Sequence, residues 1–421
     1  MPIVEESTTV ASVVSAAIGA VNRNGVPMKK LRTSMIFAVG GIAVAAPVIA
    51  ATTAQAKAST TVYVSAHAAG HASDRGCGTA AYHSITAASA AVAEGGTVIV
   101  CGGTYKEDVA VTKALTIQGR SNATIDATKL TNGFLVTASH AAISGFTVKN
   151  AVGEGILVNK ANSVTVQNNV VSNNDLGGLP VNPVPNTYAS CAAQGGVPGD
   201  CGEGIHLMGS SHSTVRNNVS TANSGGILVS DETAPAAHNR ISGNVVARNT
   251  YACGITVVAH SPLGAPGGKP APDAAGVYDN DVVGNTISDN GTQAEGAGVV
   301  LATGLPGGAV YDNTVEGNSI SGNGLSGVTL HSHIAGQYLN GNVIRGNRIG
   351  TNNLRGDKDI AEPFDTETTG ILVGTVDPLS ITISGNVIGK DHYGVWTTGP
   401  VTAKNVRDNH FTGVTVPVIT H

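Results

Sequence analysis

The sequence predicts an all-β solenoid, a parallel β-helix in which short strands stack coil upon coil. The first observation behind this prediction is a repeated phrase: a glycine followed by an apolar, a variable and an apolar residue. The phrase begins at eight glycines: Gly155, Gly204, Gly226, Gly254, Gly298, Gly327, Gly370 and Gly394. A strand of four residues cannot bury an apolar face alone, whereas stacked copies bury a continuous core. The phrase is therefore predicted to form one strand of each coil.

The second observation is a pair of asparagines, five residues apart, that follows most copies of the phrase. The pairs are Asn169/Asn174, Asn218/Asn223, Asn244/Asn249, Asn285/Asn290, Asn318/Asn323 and Asn347/Asn352, with a weaker copy at Asn386 and Asp391. Asparagine tolerates the left-handed backbone of a sharp corner, and its amide can bond its counterpart one coil away. Two such ladders predict three short sheets joined by tight corners.

The composition agrees with a repeat whose turns are polar and uncharged. The chain has 421 residues, of which 55 are Gly and only 12% are charged, whereas ordinary domains carry roughly a quarter charged residues. A net charge of -5 offers no basic patch for phosphates and excludes nucleic acid as a partner. We expect a monomer with one elongated domain over residues 57–421.

Residues 1–56 are predicted to be an upstream extension and a signal peptide. Basic residues at positions 29–32 precede an apolar run over 35–51, and Ala54-Gln55-Ala56 resembles a cleavage site. Met28 begins a complete signal peptide by itself, so translation is predicted to start there. The protein is then secreted, with no stable membrane insertion after cleavage; a membrane anchor is the alternative.

The five cysteines fit an exported protein. Cys77 and Cys101 flank the first ordered segment, and Cys191 lies close to Cys201 in a Pro/Gly-rich insertion. We predict these two disulfides and a buried thiol at Cys253. Pairing of Cys253 with Cys191 or Cys201 is the alternative.

One helix is predicted in the mature chain, over residues 84–93, where Ile85, Ala88 and Val92 recur at helical spacing. Residues 97–100 then read as the first strand. A helix in this position can cap the first hydrophobic layer, because exposed terminal coils need a cover.

The phrase copies from Gly155 onward resemble a known superfamily, as does the opening Val98-Ile99-Val100-Cys101-Gly102-Gly103-Thr104-Tyr105. They are similar to secreted right-handed parallel β-helix proteins of the pectate-lyase-like superfamily, in particular NosD-type members from actinobacteria. The resemblance runs from about residue 60 to the end. It implies a right-handed coil and, as partner, a polysaccharide or cell-envelope glycan bound along the sheet of phrase strands. The superfamily hosts several activities, and the sequence lacks the Arg-x-Pro-x-x-Arg, Gly-His-Gly and Asp-Pro-His-Asp motifs of its best-known enzymes.

The middle residue of each phrase is predicted to point outward, because side chains alternate along a strand. The outward column is Leu157, His206, Leu228, Thr256, Val300, Thr329, Leu372 and Trp396. His206 and Trp396 are unexpected on an idle sheet, and Thr256 and Thr329 are predicted to contact substrate with Trp396. An exposed Trp can stack on a sugar ring; the alternative is that Trp396 caps the last coils.

The inserted loops are predicted to border the phrase strands, whereas the asparagine corners stay short. Insertions precede the phrase at residues 175–202 and 353–369, and others follow it at 230–240, 259–275, 302–308 and 331–340. A solenoid that is elaborated on one face generally uses that face. The functional cleft is therefore expected on the first sheet.

A cluster of titratable side chains is predicted beside this cleft. Aligning the coils by their phrase glycines stacks equivalent residues at about 4.8 Å per coil. The resulting set has two carboxylates and four histidines: Asp231, Glu232, His206, His260, His331 and His333. Such a set can act as acid and base or bind a divalent metal ion. The alternative is that these side chains only solvate the loops.

Two further acidic groups are candidates. Glu154 and Glu203 each precede a phrase glycine in Gly-Glu-Gly-Ile, and Glu203 is the better catalytic candidate because it shares a coil with His206. Asp279 and Asp312, with tyrosines nearby, stack before a corner and can bind Ca²⁺, which prefers oxygen ligands. The alternative for this aspartate pair is a turn ladder, which we prefer.

The leading functional hypothesis is a secreted enzyme that acts on a polysaccharide. On a uronate, β-elimination or epimerisation needs a base and a cation that stabilises the enolate, and Arg240 is the nearest suitable cation by sequence. On a neutral polymer, hydrolysis needs two opposed carboxylates, with Glu203 facing Asp231 or Glu232. The alternatives are a non-catalytic glycan- or envelope-binding protein and a NosD-like role in metal handling.

Overall fold

The computed structural model describes residues 60–67, 76–174, 203–270, 275–293, 296–358 and 364–421. Three long parallel sheets run along this part of the chain, and successive coils contribute successive strands to each of them. The predicted all-β solenoid is therefore confirmed. The predicted signal peptide over 1–56 and the predicted Cys191–Cys201 pair lie outside the described residues.

The first sheet contains the phrase strands, and the second and third sheets follow it in each coil. The first sheet comprises Val109–Val111, Phe134–Val136, Ile156–Asn159, Glu203–Met208, Gly225–Ser230, Ile255–Ala259, Val299–Thr303, Val328–Ser332, Thr369–Gly374, Tyr393–Thr398 and Val416–Thr420. The second sheet comprises Thr61–Val64, Thr97–Val100, Thr116–Gly119, Ala142–Ser144, Thr165–Gln167, Thr214–Arg216, Arg240–Ser242, Asp281–Val283, Thr314–Glu316, Val343–Arg345, Leu379–Ser384 and Val401–Lys404. The third sheet comprises Gly103–Tyr105, Ala123–Asp126, Thr147–Lys149, Val170–Ser172, Val219–Thr221, Val245–Ala247, Thr286–Ser288, Ser319–Ser321, Arg348–Ile349, Val387–Gly389 and His410–Thr412.

A small three-stranded sheet lies between the first and second sheets in the central coils. Its strands are Ala236–Ala237, Val277–Tyr278 and Val310–Tyr311. Four short helical segments complete the described elements: the α-helix Ile85–Ala91 and the 3₁₀ turns Cys77–Thr79, Pro266–Gly268 and Val406–Asp408.

The asparagine ladders are confirmed, and they form the corners between the sheets. At one corner, each Nδ2 donates to Oδ1 of the next asparagine at 2.8–3.1 Å, from Asn169 through to Asn409. The other corner repeats this pattern from Asn174 to Asn352 at 2.8–3.1 Å. Both ladders are buried, so each amide replaces water as the partner of its neighbours.

One detail of the corners differs from the prediction. The left-handed residue is the one before the ladder asparagine, as at Asn168 (φ 55°), Asn217 (φ 54°) and Gly243 (φ 63°). The ladder asparagine itself turns its side chain inward. Its amide therefore serves the ladder, and the preceding residue makes the turn.

A third ladder links Asn239, Asn280, Asn313 and Asn342 at 2.9–3.1 Å. It fits the turn ladder that we preferred for the column of Asp279 and Asp312. It lies beside the small sheet, where inserted segments join the first sheet to the second. Equivalent residues of these inserted segments therefore stack from one coil to the next, as the strands do.

The core is one continuous hydrophobic cluster between the three sheets. It takes the first and third apolar residues of each phrase, for example Ile156 and Val158, which are fully buried. The predicted helix is confirmed over Ile85–Ala91, and it adds Ile85 and Ala88 to the same cluster. Thr97–Val100 is not the first strand, because Thr61–Val64 precedes it and pairs with it in parallel.

The Cys77–Cys101 disulfide is confirmed, with the two Cα atoms 5.7 Å apart. Cys253 is only partly buried, and its sulfur accepts a hydrogen bond from the Ala297 backbone N–H at 3.3 Å. The fully buried environment that we predicted for Cys253 is therefore wrong.

Replacing one ladder asparagine is expected to destabilise the solenoid. Asn285→Ala removes the Oδ1 that accepts from the Asn244 backbone and side chain, and the Nδ2 that donates to Ile241 and Asn318. Because these partners stay buried, we expect a loss of about 3 kcal/mol in the free energy of unfolding.

Denaturant unfolding of the full chain measures this loss. Thr286→Ala is the matched control, since Thr286 is the next residue and is exposed. Equal stability of the two variants would contradict a stabilising role for the ladder.

Candidate functional site

The phrase side chains on the outer face of the first sheet are buried. The middle residues of the phrases align with one another as predicted, for example His206 with Leu228 and Thr256 with Val300. They lie outside the main core cluster but are at most 9% exposed. Leu228 and Val300 instead belong to a second hydrophobic cluster with Val258. The expected open cleft over this column is therefore wrong.

A buried chain of polar side chains begins at His206 on this outer face. His206 Nδ1 lies 3.0 Å from Glu154 Oε1, one coil earlier. His206 Nε2 lies 2.7 Å from Ser230 Oγ, one coil later. Ser230 donates its hydroxyl proton to Glu232, so Ser230 Oγ accepts from His206 Nε2–H.

The last side chain in this series of hydrogen bonds is that of His260, whose Nδ1 lies 2.7 Å from Glu232 Oε1. The side chains of Glu232 and His260 are 5% and 10% exposed, whereas His206 is 1% exposed. The network therefore runs from a sealed interior at Glu154 to a rim at Glu232 and His260. We call Glu154, His206, Ser230, Glu232 and His260 the histidine network.

Contacts within the network raise the pKa of His206 and lower the pKa of Glu232. Desolvation alone would lower the pKa of His206, but the charge and hydrogen bond of Glu154 outweigh it and raise that pKa. Burial alone would raise the pKa of Glu232, but the hydrogen bond and charge of His260 lower it overall. His206 is therefore favoured as an imidazolium and Glu232 as a carboxylate.

Asp231, next to Glu232, has the opposite environment. It is 1% exposed, and burial raises its pKa from 3.8 to about 6. Its Oδ1 accepts backbone N–H bonds from His260 at 2.7 Å and Ser261 at 3.0 Å. Asp231 thus holds the loop that carries His260, and it is a weaker acid than Glu232.

His331 and His333 do not join the network. The strand of His331 lies two coils beyond that of His260, a distance of roughly 10 Å. Their rings contact each other at a centroid distance of 4.6 Å. His331 keeps partial exposure, yet desolvation, with a further contribution from His333, lowers its pKa to about 3. His333 is exposed in the loop after the strand.

The predicted substrate-binding residues are not brought together. Trp396 is 2% exposed, and its ring packs against Tyr393 at 4.6 Å and His421 at 5.4 Å. This packing and the burial of Trp396 fit the capping alternative and not the stacking alternative. Thr256 and Thr329 are buried as well, at 9% and 1%.

Arg240 lies on the second sheet, where it pairs with Asp281 at 3.0 Å. It is therefore not placed beside the histidine network. Distance along the sequence was misleading here, because the chain crosses the small sheet between Glu232 and Arg240.

Glu154 and Glu203 both approach His206. One ligand atom from each of the three residues lies within 4.8 Å of the others. Glu154, which we ranked second, is the residue that bonds His206, and we missed Ser230 entirely. The repeated Gly-Glu-Gly-Ile could have indicated that Glu154 lies beside Glu203. The alignment of Met208 with Ser230 could have indicated that Ser230 lies near His206.

An aromatic ladder runs along the outside of the small sheet and its corner. It has one ring from each of five successive coils: His212, His238, Tyr278, Tyr311 and Tyr338. The rings of His212 and His238 stack at 4.8 Å, and those of Tyr278 and Tyr311 stack at 4.9 Å. The His238–Tyr278 and Tyr311–Tyr338 pairs meet edge to face at 5.9 and 5.6 Å.

Asp279 and Asp312 flank this aromatic ladder. Both are exposed corner residues with left-handed backbones (φ 52° and 54°). Asp279 lies 3.9 Å from His238 Nδ1, and desolvation followed by repulsion from Asp279 raises the pKa of Asp312. They accompany the third asparagine ladder, which fits the turn-ladder alternative. Calcium binding by Asp279 and Asp312 stays a prediction.

A cleft of about 620 Å³ adjoins the ladder at Tyr338. Its walls are rich in proline and glycine, and they include Pro262, two residues beyond His260. Asp377, also in the wall, accepts backbone N–H bonds from Gly336 at 2.6 Å and Gln337 at 3.1 Å. The aromatic ladder and this cleft form a continuous side of the solenoid.

Two family models match the sequence. One describes a right-handed β-helix region and matches residues 111–264. The other describes NosD, a periplasmic copper-binding protein, and matches residues 271–420. No curated protein sequence matches this chain. No helix among the described residues is long and apolar enough to span a membrane.

Solved structures share the fold at low identity. The tailspike protein of E. coli bacteriophage HK620, in complex with a pentasaccharide, has a TM-score of 0.51 and 12% identity. That comparison covers 78% of this chain and 57% of the tailspike. The mannuronan C-5 epimerase A-module of Azotobacter vinelandii has a TM-score of 0.49 and 17% identity, covering 78% of this chain and 89% of the module. An alginate lyase from Paenibacillus has a TM-score of 0.48 and 14% identity, covering 85% and 98%.

The three parallel sheets, together with the family model that matches residues 111–264, identify the fold as a right-handed parallel β-helix. The matches do not locate a copper site. Among the described residues, Glu154, Glu203 and His206 are the group of three metal-ligating side chains with converging atoms, and they lie outside the residues that the NosD model matches.

The environment of Asp231 predicts a pH dependence of stability. Its pKa is about 6 in the folded chain and about 3.9 when unfolded, so the folded chain binds more protons between these values. This group therefore makes stability fall as pH rises from about 4 to 6. Asp231→Asn keeps the Oδ1 acceptor and removes the charge. Above pH 6 we expect the variant to be more stable than wild type by up to about 3 kcal/mol.

Denaturant unfolding at pH 4 and pH 7.5 tests this, and the difference is expected to disappear at the lower pH. Asp289→Asn, at an exposed carboxylate, is the control and should show no such change. A variant less stable than wild type at pH 7.5 would contradict the burial argument.

Proposed function

We propose that this protein binds an extended, neutral polysaccharide along the aromatic ladder and the adjoining cleft. The observation that carries the proposal is the row of five rings, each in contact with the next. A tyrosine ring offers an apolar face for the C–H surface of a sugar and a hydroxyl for its polar groups. A polymer lying parallel to the solenoid axis meets one ring in each coil.

Exposure distinguishes this side from the outer face of the first sheet. His212 and His238 are exposed, and Tyr278, Tyr311 and Tyr338 are partly exposed. The predicted stacking residue Trp396 is instead buried. Desolvation, with the neighbouring Tyr278 and aspartates, raises the pKa of Tyr311 to about 12. Its hydroxyl therefore stays protonated and able to donate to a glycan.

Charge favours a neutral polymer over a uronate. Asp279 and Asp312 project beside the rings, and the chain has a net charge of -5. Carboxylates on a uronate would be repelled by this pair. The nearest described arginine, Arg240, is already paired with Asp281.

Removing a ring from the middle of the ladder is expected to weaken glycan binding. Tyr278→Ala and Tyr311→Ala each remove one stacking surface, and we expect each to raise the Kd by about 2- to 13-fold, as for a contact of about 0.5–1.5 kcal/mol. Affinity electrophoresis against a panel of neutral and uronate polysaccharides measures the change.

Tyr251→Ala is the matched control, because Tyr251 is a partly exposed tyrosine outside the ladder. Binding that is unaffected by both ladder variants would refute the ladder as the glycan site. Preference of the wild type for uronates, unchanged in Asp279→Asn, would refute the charge argument.

A second candidate function is catalysis on the bound polymer by the rim of the histidine network. Asp231 and Glu232 are neighbouring carboxyls whose pKa values are shifted in opposite directions. Such a separation is typical of acid and base assignments. The short Glu232–His260 contact holds His260, which lies two residues before Pro262 in the cleft wall. On a neutral polymer the reaction is hydrolysis, in which His260 would take a proton from the attacking water and Asp231 would donate one to the departing glycosidic oxygen.

Replacement of His260 separates catalysis from binding. If the network is catalytic, His260→Ala should lower product formation by at least about 100-fold and leave the Kd unchanged. Reducing ends and unsaturated ends are assayed separately on each polysaccharide that binds.

His333→Ala is the control, since His333 is exposed and outside the network, and it should keep the wild-type rate. If no polymer that binds gives products, catalysis is refuted and binding is the only proposed function that remains.

Export of the protein is part of the proposal. A family model that describes a periplasmic protein matches residues 271–420, and the Cys77–Cys101 disulfide suits an oxidising compartment. Cell fractionation with an antibody tests it, and recovery only from the cytoplasm would overturn it.

A further inference from the structure

Two glutamates and one histidine converge in a sealed space on the outer side of the first sheet. Glu154 and Glu203 are each 2% exposed and His206 is 1% exposed. One ligand atom from each residue lies within 4.8 Å of the other two. Burial of two carboxylates beside one imidazole is costly unless their charge is compensated.

Rigid elements hold this group in place. Glu154 and Glu203 occupy equivalent positions in neighbouring coils, each before a phrase glycine, and the Gly155 N–H donates to the Glu203 carbonyl at 3.0 Å. His206 follows in the same strand as Glu203. Donor atoms carried by paired strands vary less in position than those on free loops.

The next coil leaves room for the group. The residue that aligns with Glu203 there is Gly225. A Cβ at Gly225 would lie 2.9 Å from Glu203 Oε1, so any side chain at this position would crowd the carboxylate. The missing side chain keeps the space beside Glu203 clear.

Glu154 supplies an independent indication of a ligand. Its Oε1 meets His206, but its Oε2 is buried and has no hydrogen-bond partner among the described residues. A buried carboxylate oxygen without a partner is uncommon in native proteins. A bound cation would satisfy this oxygen.

The orientation of His206 suits metal ligation. Because Ser230 Oγ accepts from Nε2–H, Nδ1 is the ring nitrogen that faces Glu154. A hydrogen bond of this kind on the remote nitrogen is the usual support of a metal-bound histidine. When a metal ion replaces the Nδ1 proton, which is released, Nδ1 and the two carboxylates form a mixed nitrogen and oxygen donor set.

We propose that Glu154, Glu203 and His206 bind one divalent transition-metal ion, with Zn²⁺ as the best match to the donor set. Zn²⁺ accepts imidazole and carboxylate ligands at about 2.0–2.2 Å, whereas Ca²⁺ prefers six or more oxygen ligands. Three protein ligands leave one position of a tetrahedral site for water or another donor. The site shares Glu154 and His206 with the histidine network and does not depend on the proposed glycan function.

Metal content of the full chain tests the proposal. Because the group is sealed, the protein is produced in medium supplemented with Zn²⁺, desalted, and analysed by elemental mass spectrometry. Wild type is expected to retain about one Zn²⁺ per chain, and Glu154→Gln and His206→Gln each at least about 10-fold less, given that even supporting residues of metal sites change affinity by 10- to 100-fold.

Two controls separate this site from other causes. His333→Gln removes an exposed histidine and should leave the zinc content unchanged. Prolonged chelation should lower the thermal midpoint of wild type and leave that of Glu154→Gln unaltered, which distinguishes bound metal from a folding defect. If Glu154→Gln does not fold, Glu203→Gln replaces it in both measurements.

Equal zinc content in wild type and both ligand variants would overturn the proposal, as would a wild type without zinc and without a response to chelation. Retention of Mn²⁺ or Cu²⁺ in place of Zn²⁺, with the same loss in Glu154→Gln, would support the site and correct the ion. Glycan binding is measured on the same samples, so failure of the metal site and failure of the glycan site are distinguishable.

Discussion

Stacking of asparagine side chains between coils is the interaction on which the rest of the structure depends. Each ladder amide donates to the next asparagine and accepts from the previous one, as Asn244 does with Asn285 and Asn218. A slip of one residue in any coil would leave several of these buried groups without partners, at about 1–3 kcal/mol for each. The ladders therefore fix which residues of neighbouring coils face each other.

Fixed register turns equivalent positions in the repeat into columns of contacting side chains. One column is the exposed aromatic ladder, in which a polymer can meet a ring in each coil. Another is buried and pairs Glu154 with Glu203 beside His206. The fold thus places the proposed glycan-binding surface at a corner and the proposed metal ligands on the neighbouring sheet. In both cases the chemistry comes from repetition, because a single coil supplies only one ring or one carboxylate.

The features that the sequence predicted correctly are those that depend only on the register between neighbouring coils. Asparagine spacing identified two of the ladders, and alignment by the phrase glycine correctly brought Glu232 to His260. The solvent exposure of side chains on the outer face could not be predicted from the sequence, because burial of Trp396 and His206 depends on what packs over that face. His333 does not reach His260 because its coil lies two beyond that of His260, and the residue that follows the aligned strand between them is Gly304. The turn ladder preferred at Asp279 and Asp312 fits the third asparagine ladder, whereas its continuation to Asn342 was missed because the insertions before these residues differ in length.

Hydrogen exchange with and without a neutral polysaccharide tests the central claim most directly, since it locates the bound polymer on the solenoid. Added protection is expected at residues 236–239, 277–280, 310–313 and 336–341, which carry the aromatic ladder and the cleft rim. No change is expected in the first-sheet strands Glu203–Met208 and Gly225–Ser230. Protection confined to those strands, with none along the aromatic ladder, would contradict this claim.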